Sequence, residues 1–223
     1  MIDQLKKISI VSAGNIFNAV LGILFLAAVA RSLGIDDVGK YAILTTLLVS
    51  TSKIIDFGSN SAFVAESIMS KRDVDITTFI LLKFLLFIPA LVIGTLILKL
   101  LGLLTFIIFS IYMMGLIAYG FNITLFTLFQ KNKLYGYAVL LNTFPAILKG
   151  LFAILIFITQ YTNLSFIDTL NLEQAYAIFS LAMFSCIILI FKLPRIELSK
   201  RCNIENIKEL FIIGAPGGIA LLI

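Results

Sequence analysis

The chain has 223 residues, of which 61% are hydrophobic and 13% charged, and its mean hydropathy is +1.10; a water-soluble domain carries about 25% charged residues and could not hide this much apolar surface. The 17 Lys and Arg against 12 Asp and Glu give a net charge of +5, yet no basic cluster alternates with aromatics, so nucleic acid is not an expected partner. Histidine is absent and Cys186 and Cys202 are the two cysteines, which excludes a disulfide framework and a zinc site by count.

A lipid bilayer is the solvent that suits such a chain, since a spanning helix needs roughly 20 mainly apolar residues. The first run, Ile8 to Ala30, follows Lys6 and Lys7 and ends in an A-x-A pattern, as a signal peptide would. It is longer than an h-region and is expected to be a retained helix. Ser12, Asn15, Asn18 and Gly22 form one stripe along it, suited to packing against another helix. The second run, Tyr41 to about Phe63, turns polar and small after Ile55 through Asp56, Gly58, Ser59, Asn60 and Ser61, a poor surface for lipid. From Thr77 to Phe129 apolar residues are interrupted at Lys99 to Gly102. One helix of that length would be about 80 Å long, so a hairpin is expected there, with spans Thr77 to Leu98 and Leu103 to Phe129. The latter carries Tyr112, Gly115, Tyr119, Asn122 and Phe126 at helical spacing, equally suited to packing or to sugar recognition. Tyr135 to Thr159 and Gln174 to Leu193 complete six spans, and Leu210 onward reads as the opening of a seventh. The expected fold is an all-α polytopic bundle, with residues 1–206 as a six-helix lobe and 207–223 beginning an incomplete second one.

Lys and Arg are retained on the cytoplasmic side of short connections. With the N-terminus inside, the inner segments hold Lys6, Lys7, Lys71, Arg72, Lys131, Lys133, Lys192, Arg195, Lys200, Arg201 and Lys208, against Arg31, Lys40 and Lys99 outside. The N-terminus is therefore expected to be cytoplasmic. Near the C-terminus, Lys208 to Ala215 echoes Lys6 to Ala13, as in transporters whose halves are parallel repeats.

Ionisable residues at membrane depth usually face a cavity or a partner. Lys83 lies about 9 Å from the inner start of its helix, where snorkelling to the headgroups is expected. Lys149 is about 15 Å or more from either end and is expected to face a cavity, with Asn142 on nearly the same face and Pro145 between them. Lys53 and Asp56, three apart, can neutralise each other or work separately, Lys53 attracting an anion and Asp56 taking up a coupling proton or cation. No nucleophile with a base, metal-ligand set or Gly-rich nucleotide loop is visible, so neither an enzyme nor a cofactor is expected.

The elements Ala30-Arg31-Ser32-Leu33-Gly34, Val38-Gly39-Lys40-Tyr41-Ala42, Asp56-Phe57-Gly58 and Val64-Ala65-Glu66, in this order, together with Phe211 to Pro216 as an F-x-x-G-x-P element, resemble the polysaccharide and O-antigen flippases of the multidrug, oligosaccharidyl-lipid and polysaccharide exporter superfamily. The resemblance implies the N-terminal half of a two-lobe transporter that moves a lipid-diphosphate-linked oligosaccharide outward for surface polysaccharide synthesis, with a second lobe in the same or another chain. It also implies a cationic, polar cavity, for which the candidates are Lys53 and Lys149, then Asn15, Asn18, Tyr119 and Asn142, with Asp56 as the ion-coupling candidate for protons or sodium. The competing expectations are a cation-coupled multidrug exporter of the same superfamily and a truncated membrane partner that transports nothing.

Overall fold

The computed structural model describes residues 2–69, 76–162, 170–193 and 204–222. Lys71, Arg72, Arg195, Lys200, Arg201 and Cys202, invoked for orientation and cysteine chemistry, lie outside them. The described chain is helical apart from short turns and caps. Its helices are α1 (Ile2–Ser32), α2 (Ile35–Asp56), α3 (Ser59–Met69), α4 (Ile76–Leu100), α5 (Phe106–Lys131), α6 (Tyr135–Thr162), α7 (Leu172–Phe184) and α8 (Ile204–Leu222), and Ser185–Lys192 prolongs α7 as a tighter 3-10 segment. Six segments are long and apolar enough to cross a membrane. The protein is a polytopic bundle of transmembrane helices.

Local chemistry explains the boundaries. Gly34 precedes α2 in extended conformation, and Asp36 and Asp37 fill its first turn, where negative charge complements the helix dipole. The expected hairpin lies between α4 and α5. Gly102 takes a left-handed φ of 67°, which glycine adopts without steric cost, and the Thr105 side chain accepts from the Ile108 amide to cap α5. The start of α7 is a capping box in which Asn171 and Gln174 each accept the other's backbone N–H, satisfying amides the helix leaves free.

The second span differs from expectation because it is two helices. It opens at Ile35 rather than near Tyr41, and α2 stops at Asp56, with Phe57 at φ 36° and Gly58 at φ 70°. A left-handed Phe57 is costly for a side chain with Cβ, and tertiary packing holds it there. A methyl at Gly58 would come within 2.1 Å of the Gly214 carbonyl oxygen, and one at Gly218 within 2.8 Å of the Phe57 backbone. The break thus rests backbone to backbone on α8, with the Phe57 and Phe211 rings stacked 5.4 Å apart.

Helix α5 occupies the centre, packing against α2, α3, α4, α6 and α7. One core joins Leu44, Leu48 and Ile55 of α2 to Leu98 of α4, Tyr112 and Leu116 of α5, and Tyr176 of α7. Another joins Phe25, Ala28 and Val29 of α1 to Ala153 and Ile156 of α6. Helix α1 packs chiefly along α6, through Gly14 and Gly150: a methyl at Gly14 would meet Val139 at 3.1 Å and one at Gly150 would meet Leu21 at 2.7 Å. Of the Ser12, Asn15, Asn18 and Gly22 stripe, Ser12 and Asn15 are exposed and Gly22 has open space beside it, while Asn18 is half-buried.

Gly94 lets α4 approach α5 closely, since a Cβ there would overlap the Tyr112 hydroxyl. We expect Gly94→Ala to lower the unfolding free energy of the detergent-solubilised protein by about 1–3 kcal/mol through overpacking. Gly22→Ala should leave it unchanged or slightly raised, and thermal unfolding followed by circular dichroism compares the two.

Candidate functional site

The broken second span creates the polar chemistry of the bundle. Ending α2 in the interior leaves carbonyls without helical partners, and starting α3 leaves amides in the same position. A cation is favoured at the first terminus and an anion at the second. Both are present. The Lys83 ammonium, arriving from α4, donates to the Ile55 carbonyl at 3.2 Å and to Ser59 Oγ at 2.8 Å, and lies 3.5 Å from Asp56 Oδ1. The Phe79 ring centroid is 5.0 Å from Lys83 Nζ. The Asp56 carboxylate accepts from the Asn60 amide at 3.3 Å, in the first turn of α3, and the Ser59 hydroxyl donates to the Asp56 carbonyl.

This corrects one expectation and decides between two others. Lys83 does not snorkel; it is 5% exposed and fully engaged at the break. Asp56 pairs with Lys83 rather than with Lys53, although Lys53 is on its own helix, because Lys83 reaches the carboxylate and the α2 terminus together. Lys53 consequently makes no ion pair among the described residues.

Beside the break is a cavity of about 310 Å³ between α2, α5, α6 and α7, lined by Lys53, Asp56, Tyr119, Asn122 and Asn142 with the apolar Val49, Ile123, Pro145 and Met183. Four residues singled out from sequence therefore meet here: Lys53, Asp56, Tyr119 and Asn142. Asn122, noted in the stripe on α5 but not as a cavity candidate, joins them. Its orientation follows from Pro145. Proline has no N–H to give the carbonyl four residues back, so the Leu141 oxygen is left free within α6. Asn122 Nδ2 donates to that oxygen at 3.2 Å, and the Cys186 thiol donates to it at 3.0 Å. The spacing of Pro145 from Leu141 was the available signal.

The remaining candidates lie elsewhere. Lys149 does not line the cavity; its Nζ sits 4.7 Å from the centroid of Phe179, whose ring stacks with Tyr119 at 6.5 Å. It touches the site through one aromatic layer. Asn15 is exposed on α1. Asn18 is half-buried, and its Oδ1 has no hydrogen-bond partner among the described residues. The stripe on α5 divides along its length. Tyr112 is sealed in the core, its hydroxyl 3.2 Å from the Ala90 carbonyl and 3.0 Å from Thr51 Oγ1, while Tyr119 and Asn122 reach the cavity. No group of three or more metal-ligating side chains occurs among the described residues.

The arrangement sets a cation with no carboxylate partner among the described residues beside phenol and amide groups. Such a cavity can hold an anion with hydroxyl-bearing substituents. Comparison with known protein families, with characterised proteins and with solved structures finds no match.

A double-mutant cycle checks the pairing. Lys83→Met should cost about 1–3 kcal/mol, the penalty for leaving buried partners unsatisfied, and more than Lys53→Met. Adding Asp56→Asn should recover part of the loss with Lys83→Met but none with Lys53→Met, as read from denaturation in detergent.

Proposed function

We propose that the chain is one lobe of a flippase that moves a lipid-diphosphate-linked oligosaccharide across the membrane for surface polysaccharide synthesis. The observation that carries this reading is Lys53: it lines the polar cavity without an acidic partner among the described residues, because Lys83 holds Asp56. A diphosphate needs positive charge, which lysine supplies as a point charge. Sugar hydroxyls need donors and acceptors, which Tyr119, Asn122 and Asn142 offer. The lipid tail can stay in the bilayer.

Support for a second lobe comes from the surface that this one leaves open. Thr46, Ser50 and Lys53 are exposed along one stripe of α2, and Asn15 on α1 and Asn142 on α6 are also exposed. Hydrocarbon covers such groups poorly. A second lobe would enclose them around water, and rocking of the lobes against each other would open the cavity to each side in turn. A cation-coupled drug exporter would require Asp56 to exchange its charge freely, and its contact with Lys83 favours the anion reading.

The test is binding of a water-dispersible diphosphate-linked oligosaccharide to the purified protein, with surface glycan measured in cells that depend on the protein. Lys53→Ala should weaken binding about tenfold or more, the value of a charge-assisted hydrogen bond, and abolish display at unchanged protein level in the membrane. Lys149→Ala should do less, since Lys149 meets Phe179 rather than the cavity. Normal binding and display in Lys53→Ala would refute the reading.

A further inference from the structure

A second hollow of about 370 Å³ lies between α4 and α5, on the other side of the α2 terminus from the polar cavity. Its walls are apolar, with Phe84 and Phe87 on α4 facing Gly120 and Phe121 on α5. It opens sideways, since Phe84 is 64% exposed and Phe121 43%. Lys83 contributes to the wall, but its ammonium is committed to Ile55, Ser59 and Asp56. Thr124 is similarly satisfied, donating to the Gly120 carbonyl at 2.7 Å. No acidic residue lines the hollow, so its interior asks for nothing polar.

Its length and its ends define the occupant. Along α5 the lining runs from Ile117 to Leu128, about 16 Å at 1.5 Å per residue. That is the hydrocarbon depth of one leaflet, half of roughly 30 Å. The Leu128 end also holds Ile190 of the 3-10 segment and Leu193 just after it, and between them in sequence the exposed Lys192 supplies positive charge.

We propose that this crevice binds one acyl chain of an anionic phospholipid from the leaflet at that end, with the phosphate headgroup met by Lys192. Gly120 keeps the groove open, because a side chain there would occupy the space beside Ile55, whose Cδ1 lies 3.5 Å from a Cβ at this position. The site is separate from the polar cavity and does not depend on the transport reading.

The chain contains no tryptophan, so one introduced residue can report on neighbouring lipid. Phe84→Trp would probe the crevice, and Leu140→Trp, on an exposed position of α6 in the same leaflet, the general lipid surface. Each is reconstituted in phosphatidylcholine vesicles with increasing chain-brominated phosphatidylglycerol, and in parallel with chain-brominated phosphatidylcholine. At Phe84→Trp the anionic lipid should quench with about fivefold higher relative affinity than the zwitterionic one, the effect of one lysine near an anionic headgroup. At Leu140→Trp the two should differ much less. Gly120→Leu in the Phe84→Trp background should bring that preference down to the Leu140→Trp level, and Lys192→Gln should reduce it. Equal preference at the two tryptophans, or a preference at Phe84→Trp that survives Gly120→Leu, overturns the proposal. Native mass spectrometry gives an independent check: the unmodified protein should retain one phosphatidylglycerol that Gly120→Leu loses, and equal retention by both would also overturn it.

Discussion

A charge inside hydrocarbon must find its solvation within the protein, since a bilayer core has none to give. At Lys83 the ammonium is solvated by a carbonyl, a hydroxyl, a carboxylate and an aromatic face. Supplying them requires α2 to end inside the bundle, and a helix that ends there needs a cation at its terminus. The break and the buried lysine therefore explain each other. Asp56 completes the arrangement, pairing with the cation while its carboxylate meets the first turn of α3.

The character of the neighbouring cavity depends on that pairing. With Asp56 held by Lys83, Lys53 contributes a charge with no acidic partner among the described residues; with Asp56 turned to Lys53, three residues away on one helix, the cavity would lose most of its attraction for anions. A similar logic governs α6, where the carbonyl released by Pro145 holds Asn122 and Cys186. An interrupted backbone ladder at membrane depth is stable here because a polar side chain from a neighbouring helix meets the freed group. Both interruptions border the cavity, so the same departures from regular helix that cost backbone bonds also orient its polar groups.

Hydropathy and length were enough to read the six spans and the hairpin at Lys99 to Gly102, because a chain must satisfy its backbone in lipid and helices do so segment by segment. The polar turn after Ile55 marked a poor lipid surface, but not that the helix would stop: Phe57 in a left-handed conformation defies its local preference and is held by packing on α8. Lys83 was misread for a related reason. Counting residues from the helix start gives its depth but not the direction of its side chain, and its partners lie 24 to 28 residues earlier in the chain. Lys53, Asp56, Tyr119 and Asn142 could be selected as polar groups at depth, and they do share a cavity. Lys149 met the same criterion and sits instead against Phe179, since an aromatic face also attracts a cation and spacing along one helix cannot tell which surface the side chain meets.

A continuous helix transmits bending along its whole length; two rods joined by Phe57 and Gly58 do not. Helix α3 packs on α8 and α5, and α2 on α4, α5 and α8, so the two halves of this span share α5 and α8 as neighbours while only α2 also packs along α4. The joint itself meets α8 through close backbone approach at Phe57, Gly58, Gly214 and Gly218. Besides the two-residue joint itself, Lys83 grips both rods at once, through Ile55 on one and Ser59 on the other. An electrostatic contact from a third helix thus ties the two rods together across the joint, beside the wall of the cavity.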